Sequence, residues 1–534
     1  MPADEPGRTW WRDGVLAQIY PRSYMDANGD GVGDLRGVIE RLDHLQWLGI
    51  DGIWLNPISV SPNRDWGYDV SNYVDVDPAL GTLADADELI EQAARRGIRV
   101  VLDLVPNHTS DQHPWFLDAR SSRDSAHRDW YVWADPKPDG SPPNNWVNTF
   151  DPGAPAWTFD EHTGQYYMNN FLPTQPDLNW WNEEVREEFD RILRFWFDRG
   201  VAGFRLDVAH AIIKDKLVRD NPPATPDDHW YVQMRGQRQE FNAGRPEVHD
   251  VLQRWRRVAE EYDPPRILVG ETYVFDPELL AQFYGTGNEL NLAFNLMFLH
   301  AELDAKELRE VVGHAERLIP TGCQPTWTAG NHDNRRFPTR WAKNDPVRAR
   351  AVMVIVLTLR GTPFLYYGDE IGMHDADVPR ERILDPVGRI HGSRIGRDPE
   401  RTPMHWSPAP GAGFAPAGVE PWLPYGDFER VNVEQQRHDP DSMLSLTRDL
   451  IGLRDALPEL REGAYRELPG TDTLWAWMRG DRTLVACNLG DAPAELGDVT
   501  GAIRISTNRA RDEEQVTGTL ALAPWEAAVV YLDA

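Results

Sequence analysis

The 534-residue chain reads as an α/β protein. Its expected architecture is a closed (β/α)8 barrel (TIM barrel) with an excursion domain after the third strand and a C-terminal antiparallel β domain. Three observations predict it. Eight short apolar or β-branched runs recur in order, at 15–20, 52–55, 99–105, 203–208, 267–271, 292–298, 325–329 and 363–367. Most are separated by segments of helical period that stop at a glycine, the alternation that gives a parallel sheet covered on both faces. Several runs end in a carboxylate or a histidine, as functional side chains do at the mouth of such a barrel.

The first helical segment, 35–48, places Leu35, Ile39, Leu42, Leu45 and Leu48 on one face, with Asp34 as N-cap. Segments 83–96 and 183–199 read similarly, each ending in Arg and then Gly. Residues 106–180 are rich in Pro, Asn, Trp and Asp, lack helical period, and are too long for a plain connection. They are expected to form a small domain over the mouth. A second long insertion, about 373–436, follows the eighth strand and is rich in Pro, Gly and Arg. The barrel should therefore span 1–105 and 181–457. From 458 to 534 short alternating runs such as 473–478 and 483–487 indicate a C-terminal β-sandwich domain.

With 85 acidic against 55 basic residues the formal charge is −30. An anionic chain of this kind is repelled by nucleic acid and by anionic membranes, so neither is expected as a partner. The basic residues are nearly all Arg; Lys occurs only at 137, 214, 216, 306 and 343. A GC-rich genome and adaptation to salt both account for that balance. The two cysteines, Cys323 and Cys487, exclude a disulfide framework or a CxxC metal site. No apolar stretch is long enough to span a bilayer. The N-terminus has neither a basic start nor an apolar signal core, so a cytoplasmic protein is expected. Oligomeric state is not legible.

Asp207 ends the fourth run, with Arg205 two residues earlier on the same side of the strand. A guanidinium there would keep the carboxylate ionised and oriented, as a nucleophile requires. Glu271 ends the fifth run behind Gly270. A general acid needs a raised pKa, which a neighbouring anion such as Asp207 can supply. Asn331, His332 and Asp333 close the seventh run; Asp103, Asn107 and His108 close the third. Any one of these alone reads as a structural ion pair, a cap or a satisfied histidine. Four polar clusters at the same end of four strands point instead to one pocket, and a protonated carboxyl beside an ionised one is the arrangement for cleaving a glycosidic bond.

The segments 103–108 (DLVPNH), 203–210 (GFRLDVAH), 269–272 (VGET) and 331–333 (NHD) resemble the sequence signatures of the α-amylase superfamily (glycoside hydrolase family 13). The segment 175–179 (QPDLN) resembles the further signature of its oligo-1,6-glucosidase and α-glucosidase branch. The resemblance covers essentially the whole chain. It implies a retaining double displacement with Asp207 as nucleophile, Glu271 as general acid/base and Asp333 as transition-state stabiliser. It also implies sugar contacts from His108, Arg205, His332 and Arg336, and an aromatic floor from Tyr68. Asp65 and Arg401 would grip a terminal non-reducing glucose. Trp66 and His405 depart mildly from the pattern and bear on pocket shape. The implied activity is an exo-acting α-glucosidase on short maltose- or isomaltose-type α-glucosides, with a trehalose synthase or sucrose-converting enzyme as the alternative. Segment 107–115 resembles trehalose synthases, and Val208 directly after Asp207 accompanies α-1,6 cleavage in several relatives. Non-catalytic, transporter-associated members lose the carboxylates and carry a transmembrane helix, unlike this chain.

In the loop 26–34, Asp26, Asn28, Asp30, the Val32 carbonyl and Asp34 stand at offsets of an EF-hand loop, with Gly31 at the turn position. Gly37 stands where the bidentate Glu belongs, and the preceding segment is a strand, so a true EF-hand is not expected. Relatives use this loop for a structural Ca2+ or Mg2+, and the same ion is expected here. No organic cofactor is expected.

Overall fold

Each barrel strand is a short run buried on both sides, which a sheet filled from inside and covered by helices outside demands. The computed structural model describes residues 8–533. The reading of the start of the chain, at residues 1–7, and the terminal residue 534 lie outside the described residues. The parallel strands are β1 (Leu16–Ile19), β2 (Gly52–Leu55), β3 (Arg99–Leu104), β4 (Gly203–Leu206), β5 (Ile267–Gly270), β6 (Leu292–Ala293), β7 (Thr326–Trp327) and β8 (Thr362–Tyr366). Their hydrogen-bonded order is β6-β5-β4-β3-β2-β1-β8-β7. A single parallel bridge between Phe294 and Thr326 joins β6 to β7 and completes the ring.

Register decides which strand-end side chains meet. Asp103 on β3 pairs with Arg205 on β4, and Gly270 on β5 pairs with Leu206 on β4. One step beyond that second pairing, Asp207 and Glu271 leave neighbouring strands side by side. β4 and β5 approach closely at Gly203, where a Cβ would lie 2.4 Å from the Ile267 carbonyl oxygen.

Several elements differ from the sequence reading. The apolar run 292–298 gives only two residues of strand, because Asn295 caps a helix Leu296–His300 by accepting from the Phe298 N–H. The segment 35–48 is two helices, Leu35–Glu40 and Leu42–Leu48, broken where Arg41 takes φ −104° and ψ 4°. Asp34 caps the first, as its position suggested, by accepting from the Gly37 N–H. The helices Leu83–Arg95 and Glu183–Asp198 form with side-chain caps from Thr82 and Asn182.

Over the mouth, the excursion contains a three-stranded antiparallel sheet with Gln165–Met168 central between Trp133–Ala134 and Trp157–Asp160. It also contains a helix, Pro114–Ser121, that the irregular composition did not announce. His113 caps it and Pro114 opens it with a pre-set φ. The buried Lys214 ammonium reaches both the Asp177 carboxylate (2.8 Å) and the Asn107 side-chain oxygen, tying the excursion to the exit of β3. The second insertion has no strand among the described residues and includes the short helices Pro386–His391 and Val433–Arg437.

At the C-terminus, β9 (Tyr465–Glu467), β10 (Leu474–Arg479), β11 (Thr483–Asn488), β12 (Ala494–Ser506), β13 (Gln515–Leu522) and β14 (Ala527–Leu532) form one antiparallel sheet, in the order β9-β10-β11-β14-β12-β13. The expected two-sheet sandwich is thus a single sheet. Alternate residues, among them Trp475, Trp477 and Val529, join the barrel core, while Leu484, Ile503, Leu520 and Val530 form a second core of their own. Register shifts in β12 at 497/499 and 503/505 bend the sheet around that second core. The helix Pro346–Thr358, apolar nearly all round, fills the seam between barrel and sheet. No described helix is long and apolar enough to cross a membrane.

Candidate active site

The carboxylates at the ends of β3, β4 and β5 converge on one guanidinium. Arg205, only 1% exposed, donates to Asp103 Oδ1 (2.9 Å) and Asp207 Oδ1 (2.8 Å) through one nitrogen. Its other terminal nitrogen lies 3.0 Å from Glu271 Oε2. Period two on β4 points Arg205 and Asp207 the same way, and register supplies the other two. Glu271 Oε2 also accepts from the backbone N–H of Val208 (2.9 Å), a non-glycine residue held at φ 47°.

Burial, then the charge of Glu271, pushes Asp207 well above the ordinary carboxylate range; Arg205 pulls the other way. Burial likewise raises Asp103 to about 6 against the pull of Arg205. The sequence reading sought the raised carboxyl at Glu271. The resolved rise is at Asp207, where burial and the neighbouring Glu271 charge outweigh the pull of Arg205.

Asp333 lies across the pocket. Burial would raise it, but the charges of His332, Arg397 and Arg401 hold it well below the usual range. Burial pushes His332 toward its neutral form, so the two arginines are the lasting partners. They donate to Asp333 Oδ1 at 3.1 Å (Arg397) and 2.8 Å (Arg401). Gln18 donates to His332 Nδ1 (2.8 Å), leaving Nε2–H to donate to the Tyr68 hydroxyl (2.7 Å). That hydroxyl donates in turn to Asp103 Oδ2 (2.9 Å). His108, lowered to about 4 by burial, donates from Nε2 to the Tyr68 carbonyl (2.9 Å) and accepts from Asn107.

Asp65, Tyr68, His108, Asp207, Glu271 and Asp333 all line one cavity of about 450 Å³. Arg205, His332 and Arg401 lie directly behind these residues, in contact with their carboxylates or the Tyr68 ring. Arg336 does not reach the cavity. Its guanidinium packs against the Tyr366 and Tyr367 rings and donates to the Tyr367 carbonyl (2.6 Å).

Arg397 is the site residue that the sequence reading missed. It donates to Asp65 Oδ1 (2.7 Å), Asp385 Oδ1 (2.6 Å) and Asp333. It lies in an aperiodic insertion; its only signal was a second arginine four residues before Arg401. Apolar side chains complete the outer part of the cavity, among them Phe150, Phe171, Tyr231 and Tyr273.

The loop 26–34 lies outside this pocket. Asp26 accepts from the Gly29 and Gly31 N–H groups, and Asp34 from Ala27, Asn28 and Gly37. Among the described residues no three His, Cys, Asp or Glu side chains converge on a metal position. The loop's side-chain donors are nevertheless all oxygens, and burial together with the Asp26 charge raises Asp34. A hard cation suits that donor set.

Carboxylates carried on neighbouring strand ends around a shared arginine, at the mouth of a (β/α)8 barrel, define an enzyme acting on glycosidic bonds. The chain belongs to the α-amylase superfamily, glycoside hydrolase family 13, in its oligo-1,6-glucosidase and α-glucosidase branch: residues 18–463 match the Alpha-amylase family model, described as the alpha amylase catalytic domain. It is 40% identical over 509 residues to a probable alpha-glucosidase of Rhizobium meliloti, covering 92% of this chain and 91% of that protein. It is 37% identical over 574 residues to an oligo-1,6-glucosidase of Heyndrickxia coagulans, covering 98% and 99%. Among solved structures, an alpha-glucosyl transfer enzyme superposes with a TM-score of 0.89 at 39% identity, covering 98% of this chain and 99% of that one. The protein is an active-type glycosidase-family enzyme on α-glucosides.

Arg397 compensates Asp385, whose side chain is fully buried. Arg397→Ala should lower the unfolding free energy by about 3 kcal/mol, the cost of stranding a buried charge. Arg397→Lys should recover only part, because an ammonium cannot fork between carboxylates. Urea unfolding measures both; an alanine variant as stable as wild type would remove the network from the site's support.

Proposed function

We propose that the protein takes a terminal glucosyl unit from a short α-glucoside and transfers it, with retention of the α configuration, to an acceptor hydroxyl. The observation that carries this reading is the single Arg205 guanidinium holding Asp207 and Glu271 through adjacent nitrogens. Carboxylates so close leave no room for the intervening water of an inverting enzyme. Asp207 attacks the anomeric carbon while Glu271 protonates the leaving oxygen, giving a glucosyl ester on Asp207. Glu271 then takes the proton of the incoming hydroxyl as that oxygen displaces Asp207. Asp333, held ionised, accepts from sugar hydroxyls and stabilises the positive charge that develops at the ring. The Asp65–Arg397–Asp385 group closes one end of the pocket, which supports action at chain ends rather than within chains.

The likeness to an alpha-glucosyl transfer enzyme and the mainly apolar outer wall support an acceptor other than water. The likeness to a probable alpha-glucosidase supports a second reading, hydrolysis of the same intermediate. Val208 after Asp207 supports an isomaltose-type donor. Cys323 and Cys487, both free, support a reducing, cytoplasmic setting. We further propose that Asp26, Asn28, Asp30, the Val32 carbonyl and Asp34 hold a structural Ca2+ that would fix the loop ahead of the helix Leu35–Glu40.

Incubation with maltose, isomaltose, sucrose and trehalose in turn, with products resolved by chromatography, tests the reading. New α-linked products should accompany or exceed free glucose from at least one donor; glucose alone would leave the hydrolase reading, and no turnover would remove both.

The Glu271 charge is the second cause, after burial, of the rise at Asp207. In Glu271→Gln that charge is gone, so Asp207 should ionise at lower pH. The acidic limb of p-nitrophenol burst release from p-nitrophenyl α-glucoside, a substrate that needs no acid, should shift down accordingly; an unmoved limb would separate the two carboxyls.

Calcium at a hundredfold excess over its Kd should raise the unfolding free energy by about 2.7 kcal/mol relative to chelated protein. Asp30→Ala should abolish that difference; thermal unfolding with and without chelator reads it.

A further inference from the structure

On β1, Gln18 shares the inward side of the strand with Leu16, in register with Trp54 of β2 and Tyr366 of β8. An amide among the apolar side chains of a barrel interior is costly unless its N–H groups are met. Both are met here. The Gln18 nitrogen donates to Asn56 Oδ1 (2.8 Å) and to His332 Nδ1 (2.8 Å). Asn56 donates to the Tyr68 hydroxyl (2.8 Å), and His332 Nε2 meets the same hydroxyl at 2.7 Å. Two paths thus leave Gln18, rejoin at Tyr68 and end on Asp103 Oδ2, to which the hydroxyl donates (2.9 Å). All five residues are buried.

Counting protons fixes the direction of every bond in this ring. The ionised Asp103 carboxylate only accepts, so the single Tyr68 proton goes to it, and the hydroxyl oxygen then accepts from both Asn56 and His332. With both amides turned round, that one proton would face three acceptors: Asp103, Asn56 Oδ1 and the lone pair of His332 Nε2. Two of them would go unmet in a buried region, a cost that the present direction avoids. Burial keeps His332 neutral, so its ring carries one proton. The ring stacks on Tyr68, with centres 5.3 Å apart and planes 6° from parallel, so only the choice of nitrogen is left open. On Nε2 the proton faces Asp333 Oδ2, 3.2 Å away, as well as Tyr68. On Nδ1 it would leave a lone pair against that carboxylate, a repulsive contact.

We infer that Gln18 is a positioning residue for the reaction: its amide holds the His332 proton on Nε2 and through it orients Asp333 and the Tyr68 floor. The inference rests on the glucosyl-transfer reading of the same site, in which Asp333 stabilises the charge that develops on the sugar. Gln18 is not one of the residues lining the cavity, so it acts only through its neighbours. Its shape could be supplied by an apolar side chain of equal length; its two N–H bonds could not. Their loss would leave Asn56 Oδ1 and His332 Nδ1 unmet together, so Tyr68 would lose its order along both paths.

Nitrogen NMR of the full-length enzyme labelled in its imidazoles reads the tautomer, with the His332 signals assigned by their loss in His332→Ala. In wild type Nε2 should carry the proton and Nδ1 the lone pair. Gln18→Met keeps the length of the side chain and removes the N–H groups. It should draw the two nitrogen signals together as both tautomers fill. It should also lower kcat on p-nitrophenyl α-glucoside by about tenfold with KM little changed, the worth of one hydrogen bond to a charged group in the transition state. In a His332→Ala background the same substitution should change kcat by less than about twofold, because its effect passes through that ring. A wild-type proton on Nδ1 would overturn the assignment, as would an unchanged kcat in Gln18→Met. So would a tenfold loss that persists without His332, which would leave Gln18 a packing residue. If Gln18→Met does not fold, the wild-type signals decide alone. Failure of the wild type to turn over any α-glucoside would instead overturn the transfer reading and leave the tautomer measurement standing.

Discussion

The site depends on one buried cation. Arg205 sits among Asp103, Asp207 and Glu271 with almost no access to water, and its guanidinium lies 4.8 Å from the Trp54 ring centre. Three carboxylates against one guanidinium leave an excess of negative charge in a poorly solvated region. The structure relieves that excess by raising proton affinities, Asp103 to about 6 and Asp207 well above the ordinary carboxylate range. A double displacement needs such a floor: a carboxyl able to give a proton beside one able to attack. A lysine would meet one of the three partners, whereas the planar fork of arginine meets all three.

The two ends of the pocket have different origins. The floor comes from regular strands, so its geometry follows from register and changes only if the barrel does. The walls come from aperiodic segments that need tethers of their own. Lys214 clamps the excursion to the exit of β3 through Asp177 and Asn107, and Arg397, held within the second insertion by Asp385, clamps that insertion to the barrel through Asp65 and Asp333. Both tethers bury a cation against carboxylate, and such links hold position better than they stabilise. The loops can therefore differ between relatives while the carboxylates stay where the strands leave them.

This division also decides what the sequence reveals. Asp207, Glu271 and Asp333 were legible because each ends an apolar run, and Arg205 because strand period places it beside Asp207. Arg397 was not, since its contact with Asp333 spans 64 residues and no period relates them. Arg336, three residues beyond Asp333, looked closer to the site than it is; its side chain turns away into the Tyr366 and Tyr367 rings. The run 292–298 hid a helix because apolar content alone does not separate strand from buried helix, and the Asn295 cap decided the matter.

In the proposed double displacement, hydrolysis and transfer share every step up to the glucosyl ester. On that proposal, the two differ in whichever hydroxyl meets Glu271 when the ester breaks. Val208 stands at the junction of the two regions. Its N–H holds Glu271 Oε2, its side chain lines the pocket, and its backbone is kept at φ 47°, a region that β-branched residues rarely adopt. Strain of that kind persists only where the surroundings over-determine it. The consequence is that the position of Glu271 and part of the cavity wall are set by the same residue. A change in the wall that let Val208 relax would move Glu271 as well, which on the proposed mechanism ties acceptor choice to proton transfer.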